Sequence, residues 1–213
     1  MLLNPQENMN FNLPLFPRLK EYLQKISTEE IPQDRKEVLQ VLIDYIQAKQ
    51  NKKEDIHLNF ICTHNSRRSQ FAQIWAQTAA NLFRVKATCY SGGVEITAFN
   101  ERAVAAMERA GFKVDKEGKG NPKYSLYTSE SSVAIKAFSK LFDDPSNPNK
   151  GFAAVMTCSH ADENCPFIPG IEARIPLLYD DPKAFDGTKL EAQKYDERCK
   201  QIATEMIYVF SMV

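Results

Sequence analysis

Cys62 and Arg68 stand six positions apart in the run Cys62-Thr63-His64-Asn65-Ser66-Arg67-Arg68-Ser69. A thiol becomes a strong nucleophile once ionised, and a guanidinium can fork two N–H bonds onto two oxygens of one oxyanion. If a loop of this length joined a strand to a helix, its main-chain N–H groups would converge beside the helix N-terminus. That end carries partial positive charge, so the loop would hold a tetrahedral oxyanion and favour a thiolate at its base. Ser66 and Ser69 could hydrogen-bond the sulfur or the loop. The same residues also read as a buried strand-end cysteine followed by an exposed basic turn, and the flanking elements favour the nucleophile.

Upstream, residues 56–61 alternate Ile56, Leu58 and Phe60 with His57 and Asn59, the pattern of a half-buried strand with His57 at its surface. Downstream, Phe71, Ile74, Trp75, Thr78, Ala79 and Leu82 fall on one face of a helix. Residues 86–90 read as a second strand. Residues 100–110 read as a helix, with Asn100 as N-cap and Gly111 just past its end. A further helix is expected over 133–142 and a loop over 143–151. Residues 152–157 form a compact apolar run suited to a buried parallel strand ending at Cys158. A long helix from Thr188 carries Leu190, Tyr195, Ile202, Met206 and Val209. Alternating strands and helices predict a doubly wound α/β sheet, whose ligands sit at strand C-terminal ends, where Cys62 and Cys158 fall.

Residues 1–55 are expected to be a helical extension ahead of a catalytic domain over 56–213. Leu19, Tyr22 and Leu23 suggest one short helix, and Pro32 could start another with Val38, Leu39, Leu42, Tyr45 and Ile46 along one side. That stripe either covers the domain or pairs with another subunit as a homodimer.

The chain of 213 residues balances 27 basic against 27 acidic side chains, so nothing suggests nucleic acid as a bulk electrostatic partner. No apolar run approaches the roughly 20 residues of a membrane helix. The first residues lack a basic segment followed by an apolar stretch, so no secretory signal is expected. The 5 cysteines make no disulfide scaffold, and reactive thiols suit a cytoplasmic setting. No cofactor or resident metal is expected.

Cys62-x5-Arg68-Ser69 resembles the anion loop of the low-molecular-weight tyrosine phosphatase fold, a superfamily that includes thioredoxin-coupled arsenate reductases. The likeness continues in order through Tyr90-Ser91-Gly92-Gly93-Val94-Glu95 and the segment from Asn100 to Gly111. It resumes at Val155-Met156-Thr157-Cys158, Cys165-Pro166 and Asp180-Asp181-Pro182. The resemblance implies a three-layer doubly wound fold with a central parallel sheet of about four strands. It makes Cys62 the nucleophile and the stretch Thr63, His64, Asn65, Ser66, Arg67, Arg68 and Ser69 the oxyanion cradle, with Asn65 and Ser69 shaping the loop.

Cys158 and Cys165 resemble the redox loop of the arsenate reductases, on a polar segment expected to be mobile. Cys158 would attack an adduct on Cys62, and Cys165 would then carry the oxidation to thioredoxin or a similar dithiol. Zinc ligation by Cys158, His160 and Cys165, or simple packing, are the alternatives. Cys89 and Cys199 match no redox position. Asp181, followed by Pro182, resembles the general acid, with Asp180 as its rival. Asp143-Asp144-Pro145 repeats that tripeptide and reads as an ordinary turn.

Three positions depart from the pattern. His64 replaces a glycine, Arg67 replaces a frequent cysteine, and Gln73 replaces a glutamate that helps some relatives hold potassium. The resemblance implies arsenate reduction, with phosphate-monoester hydrolysis as the alternative and oxyanion binding without turnover as a third. Arsenate and phosphate share shape and charge, so only the cysteine pair separates the first two. The phosphatases' adjacent tyrosines after Asp-Pro are here Lys183-Ala184-Phe185, a weakened aromatic wall.

Overall fold

A four-stranded parallel sheet carries the molecule in a computed structural model that describes residues 9–164 and 167–213. Its strands are β1 (Ile56–Cys62), β2 (Ala87–Gly93), β6 (Phe152–Met156) and β7 (Ile171–Pro176), in the order β2-β1-β6-β7. Between β2 and β6 the chain forms an antiparallel sheet of β3 (Lys113–Glu117), β4 (Lys123–Tyr127) and β5 (Ile135–Ala137). Helix α3 (Arg68–Leu82) links β1 to β2, α4 (Glu101–Ala110) follows β2, and α5 (Ser159–Asn164) links β6 to β7. The last helix, α6 (Glu191–Ser211), closes the described chain. The parallel α/β architecture and its strand number agree with the sequence expectation.

The chain leaves β1 toward β2 on one side, while β6 on the other side of β1 leads on to β7. This reversal makes the C-terminal ends of β1 and β6 the switch point of the sheet, the crevice where open α/β sheets hold ligands. Along β6, Ala153 and Val155 face the main core, while Phe152, Ala154 and Met156 face a smaller cluster with Ile61, Cys62, Cys158 and Ala161.

The N-terminal helices belong to that main core. Helices α1 (Pro17–Gln24) and α2 (Gln33–Lys52) bury Leu19 and Leu23, and Leu39, Leu42, Ile43 and Ile46, in one cluster with the sheet. Of the two placements open for the α2 stripe, it covers its own chain, and Val38 and Val41 remain exposed. Gly111, in the left-handed region at φ 105°, lets α1 lie against the end of α4. A Cβ there would sit 2.2 Å from the Leu19 nitrogen.

Three local expectations are corrected. Helix α3 is buried nearly all round, because α6 packs along the side away from the sheet, Trp75 Nε1 donating to Cys199 Sγ at 3.3 Å, and Tyr22 of α1 stacks on Trp75 at 5.4 Å. Strand β1 is buried on both faces, as expected of an inner parallel strand, and Asn59 is satisfied by the Phe142 carbonyl at 3.0 Å. No helix forms over 133–142. Ile135 and Ala137 are buried while Lys136 is exposed, a period of two that pairs β5 with β4. After Cys158 the chain forms the short helix α5 as far as Asn164, and Cys165 lies outside the described residues.

Candidate active site

Cys62 ends β1, and Arg68 begins α3, so the loop between them lies at the switch point. Each carbonyl from Thr63 to Arg67 is occupied by the surrounding protein. Thr63 O accepts from the Val94 and Glu95 N–H groups, both at 2.8 Å. His64 O accepts from Ser139 Oγ at 2.8 Å and Thr97 Oγ1 at 3.3 Å. Asn65 O accepts from Gln70 Nε2 at 2.9 Å, Ser66 O from Asn100 N–H at 2.9 Å, and Arg67 O from Phe71 N–H at 2.9 Å. In a trans peptide the N–H points opposite the carbonyl, so tying the carbonyls outward turns the following N–H groups the other way, into the loop. That is the construction of an anion nest.

Asn65 bends the loop. It is the loop residue in the left-handed region, at φ 46°, a conformation asparagine tolerates. Its Nδ2 donates to Ser69 Oγ at 2.8 Å, and its Oδ1 accepts from the Lys140 main-chain N–H at 3.0 Å. Ser69 Oγ in turn lies 3.0 Å from Cys62 Sγ, inside the protein. His64, the residue that replaces a glycine, takes none of that strain and faces Glu95, Nε2 to Oε2 3.2 Å. Gly93 seals the loop from beneath, since a Cβ there would lie 2.7 Å from Asn65 N and 2.9 Å from Thr63 O.

The two arginines converge on one acid. Arg67 Nε donates to Asp181 Oδ1 at 2.7 Å and Nη2 to Oδ2 at 3.2 Å, while Arg68 Nη2 lies 2.9 Å from Oδ2. Arg68 Nη1 donates to the Tyr179 carbonyl at 3.1 Å, and its buried Nε meets no partner among the described residues. Burial pushes the Asp181 carboxyl up. The hydrogen bond from Arg67 and the charges of Arg68 and Arg67 outweigh it, and the net direction is down from the ordinary value. Asp180 is almost fully exposed and pairs loosely with Arg198 at 3.3 Å, outside this cluster.

Cys158, two residues past β6, is buried, and its Sγ accepts from the Ala161 N–H at 3.4 Å. Thr63 Oγ1 bridges toward it, 3.5 Å from Cys158 Sγ and 3.3 Å from His160 Nδ1. Cys165, expected as the partner of Cys158, lies outside the described residues. Burial raises Cys89, and it pushes Cys199 up to about 12, so both thiols are inert fillers. Gln73 accepts from Ser91 Oγ at 2.6 Å and donates to the Lys136 carbonyl at 3.0 Å, a neutral link between α3 and the sheets. Among the described residues no group of three or more His, Cys, Asp or Glu side chains is placed to hold a metal ion. No described helix is long and apolar enough to cross a membrane.

Beside the loop opens a cleft of about 690 Å³, lined by His64, Ser66 and Arg67 from the loop and by Arg102, Lys116 and Tyr124 opposite. Sequence reasoning missed Ser139 and Lys140, which brace the loop, and Tyr179, whose carbonyl receives Arg68. Lys140 and Tyr179 act through main-chain atoms that every residue carries, so no side-chain pattern signals them.

No family model matches the chain. It is 33% identical over 124 residues to the arsenate reductase of Staphylococcus aureus strain Newman, spanning 58% of this chain and 76% of that protein. It is 31% identical over 134 residues to the arsenate reductase of Brevibacillus brevis, 62% of this chain and 79% of the relative. The arsenate reductase of Bacillus cereus strain ZK is 28% identical over 156 residues, 72% of this chain and 96% of that one. Among solved structures, a low-molecular-weight phosphotyrosine phosphatase from Vibrio cholerae O395 superposes with a TM-score of 0.47 at 13% identity, covering 71% of this chain and 92% of the other.

Proposed function

Because the chain belongs to the arsenate reductase family, we propose that it reduces arsenate by a cysteine relay. One observation carries the reading: Cys62 Sγ lies 3.0 Å from Ser69 Oγ at the base of the loop, while the Cys158 sulfur, just past the adjacent strand β6, lies 3.5 Å from Thr63 Oγ1 of the same loop.

Arsenate enters the nest, and the Cys62 sulfur bonds to arsenic while one oxygen leaves as water with a proton from Asp181. The Cys158 sulfur then attacks the Cys62 sulfur. An S–S bond forms, the S–As bond breaks, and its electron pair stays on arsenic, which leaves as arsenite. Cys165 attacks Cys158, freeing Cys62 as thiolate, and thioredoxin or a similar dithiol reduces the Cys158–Cys165 disulfide. Two thiols lose two electrons and arsenate gains them. A cytoplasmic setting, where thiols are kept reduced, suits this cycle.

Asp181 needs a proton for its part, and its present partners oppose that. The incoming oxyanion resolves the conflict by replacing the carboxylate on Arg68. Beside a new anion and with fewer cationic contacts, the Asp181 carboxyl moves up toward the acid it must become.

The cleft beside the loop favours hydrolysis of a phosphate monoester as a second reading. At about 690 Å³ it has room for a leaving group that arsenate lacks. A parallel assay separates them: arsenate with thioredoxin recycling against an aryl phosphate. Turnover of arsenate above the aryl phosphate is expected, and turnover of the ester alone would overturn the reductase reading.

A further inference from the structure

The N-terminal extension reaches the catalytic arginine through an unbroken chain of polar contacts. Glu205 on α6 is only 2% exposed, yet it carries a carboxylate into the main core. Arg35 on α2 forks onto it, Nε to Oε1 at 2.9 Å and Nη2 to Oε2 at 2.8 Å. Gln201 Nε2 supplies a further bond to Oε1 at 3.0 Å, and the Tyr179 hydroxyl donates to Oε2 at 2.7 Å. The Arg35 guanidinium also lies over the Tyr179 ring, 4.8 Å from its centroid. Tyr179 is thus held at both ends of its side chain, and its main-chain N–H is anchored on Thr157 O at 3.2 Å. The carbonyl of this same residue receives Arg68 Nη1 at 3.1 Å.

We propose that Arg35 is a positioning residue for oxyanion binding: by neutralising Glu205 it locks Tyr179, and the Tyr179 carbonyl aims the Arg68 guanidinium into the nest. This gives residues ahead of β1 a part in the site, and it rests on Arg68 holding the oxyanion. The physical ground is that a buried carboxylate tolerates ionisation only with its partners in place. Without Arg35 the fork that fixes the Glu205 carboxylate is gone, the carboxylate draws toward solvent, and the hydroxyl bond that holds Tyr179 changes. A bidentate contact to an oxyanion is lost once its guanidinium shifts by about 1 Å.

The experiment uses inorganic phosphate as the probe, with affinity read by calorimetry on the full chain. Arg35→Met should weaken phosphate binding about tenfold or more, since small misplacements carry such factors. Arg35→Lys, which keeps charge without the fork, should recover part of it. Lys49→Met is the control. Lys49 ties the same helix through Glu172 at 3.0 Å and Glu54 at 2.8 Å but has no route to Arg68, so affinity should stay unchanged. Wild-type affinity in Arg35→Met, or an equal loss in Lys49→Met, overturns the proposal. Should Arg35→Met fail to fold, Tyr179→Phe decides, since it removes only the hydroxyl. A weaker affinity supports the chain of contacts and an unchanged one overturns it. Wild-type protein that binds neither phosphate nor arsenate overturns the functional reading along with this one, so the two failures are distinguishable.

Discussion

The Arg67 guanidinium forks onto the Asp181 carboxylate, Nε to Oδ1 2.7 Å and Nη2 to Oδ2 3.2 Å, at the mouth of the loop that begins with Cys62. Arg67 therefore does more than add charge. It holds the expected acid ionised in the free protein and sets how far that acid must travel in pKa. Folded-state pKa values below the unfolded value favour the ionised form, so this pair stabilises the fold at neutral pH and loses that contribution as pH falls through the depressed value.

Replacing Arg67 by Leu should let the Asp181 carboxyl rise. If Asp181 works as an acid, the alkaline limb of the kcat/KM profile moves upward by about 1 unit, the size an adjacent arginine produces. A limb that stays where it was would show that Asp181 is not the acid or that Arg68 alone controls it.

The proposed relay would make two activities separable. Cys62→Ser should lower both arsenate reduction and aryl phosphate hydrolysis by about 10⁴-fold or more, the scale on which losing a nucleophile acts. Cys158→Ser and Cys165→Ser should stop multiple turnover of arsenate while sparing any hydrolysis. Normal arsenate cycling in either serine variant would sink the relay.

Gly93 tests the seal beneath the loop. Gly93→Ala drives a methyl to 2.7 Å from Asn65 N and 2.7 Å from Glu95 O, contacts that only main-chain movement relieves. Oxyanion affinity should fall about tenfold or more while the fold persists, because a loop displaced by about 1 Å no longer converges its N–H groups. Unchanged affinity for phosphate would mean the loop tolerates displacement.

Lys140 makes a separate, stability-based test. Its ammonium is buried against the Phe138 ring, 4.5 Å from the centroid, and burial lowers it from 10.5 to about 8, with Asp144 partly opposing. Between those values the unfolded chain binds the proton and the folded chain does not, so stability from this group rises as pH climbs from about 8 to 10.5. Denaturant titrations should show that rise in the wild type and its loss in Lys140→Met. Parallel pH dependences in the two proteins would rule it out.

Much of the site was legible because its elements are local. The strand before Cys62, the Asn100 cap and the left-handed Gly111 each depend on a few consecutive residues, and the structure has them where the sequence puts them. The helix expected over 133–142 failed for the opposite reason. Its residues satisfy their main-chain groups on β4, a partner that propensity does not see. The one-faced burial expected of α3 failed likewise, because α6 supplies a second wall from the far end of the chain.

The order of residue types along the chain determined the loop from Cys62 to Arg68, the parallel α/β architecture and the family. Those depend on short-range spacing and on alternation between strand and helix. Only the tertiary structure decided that Asp181 meets Arg67 as well as Arg68, that Lys140 braces Asn65, and that Arg35 reaches Tyr179 through Glu205. These contacts join positions 26 to 170 residues apart, through main-chain atoms or charges that many other residues share. Their energies depend on burial and on fork geometry within a few tenths of an ångström, and neither exists until the chain has folded.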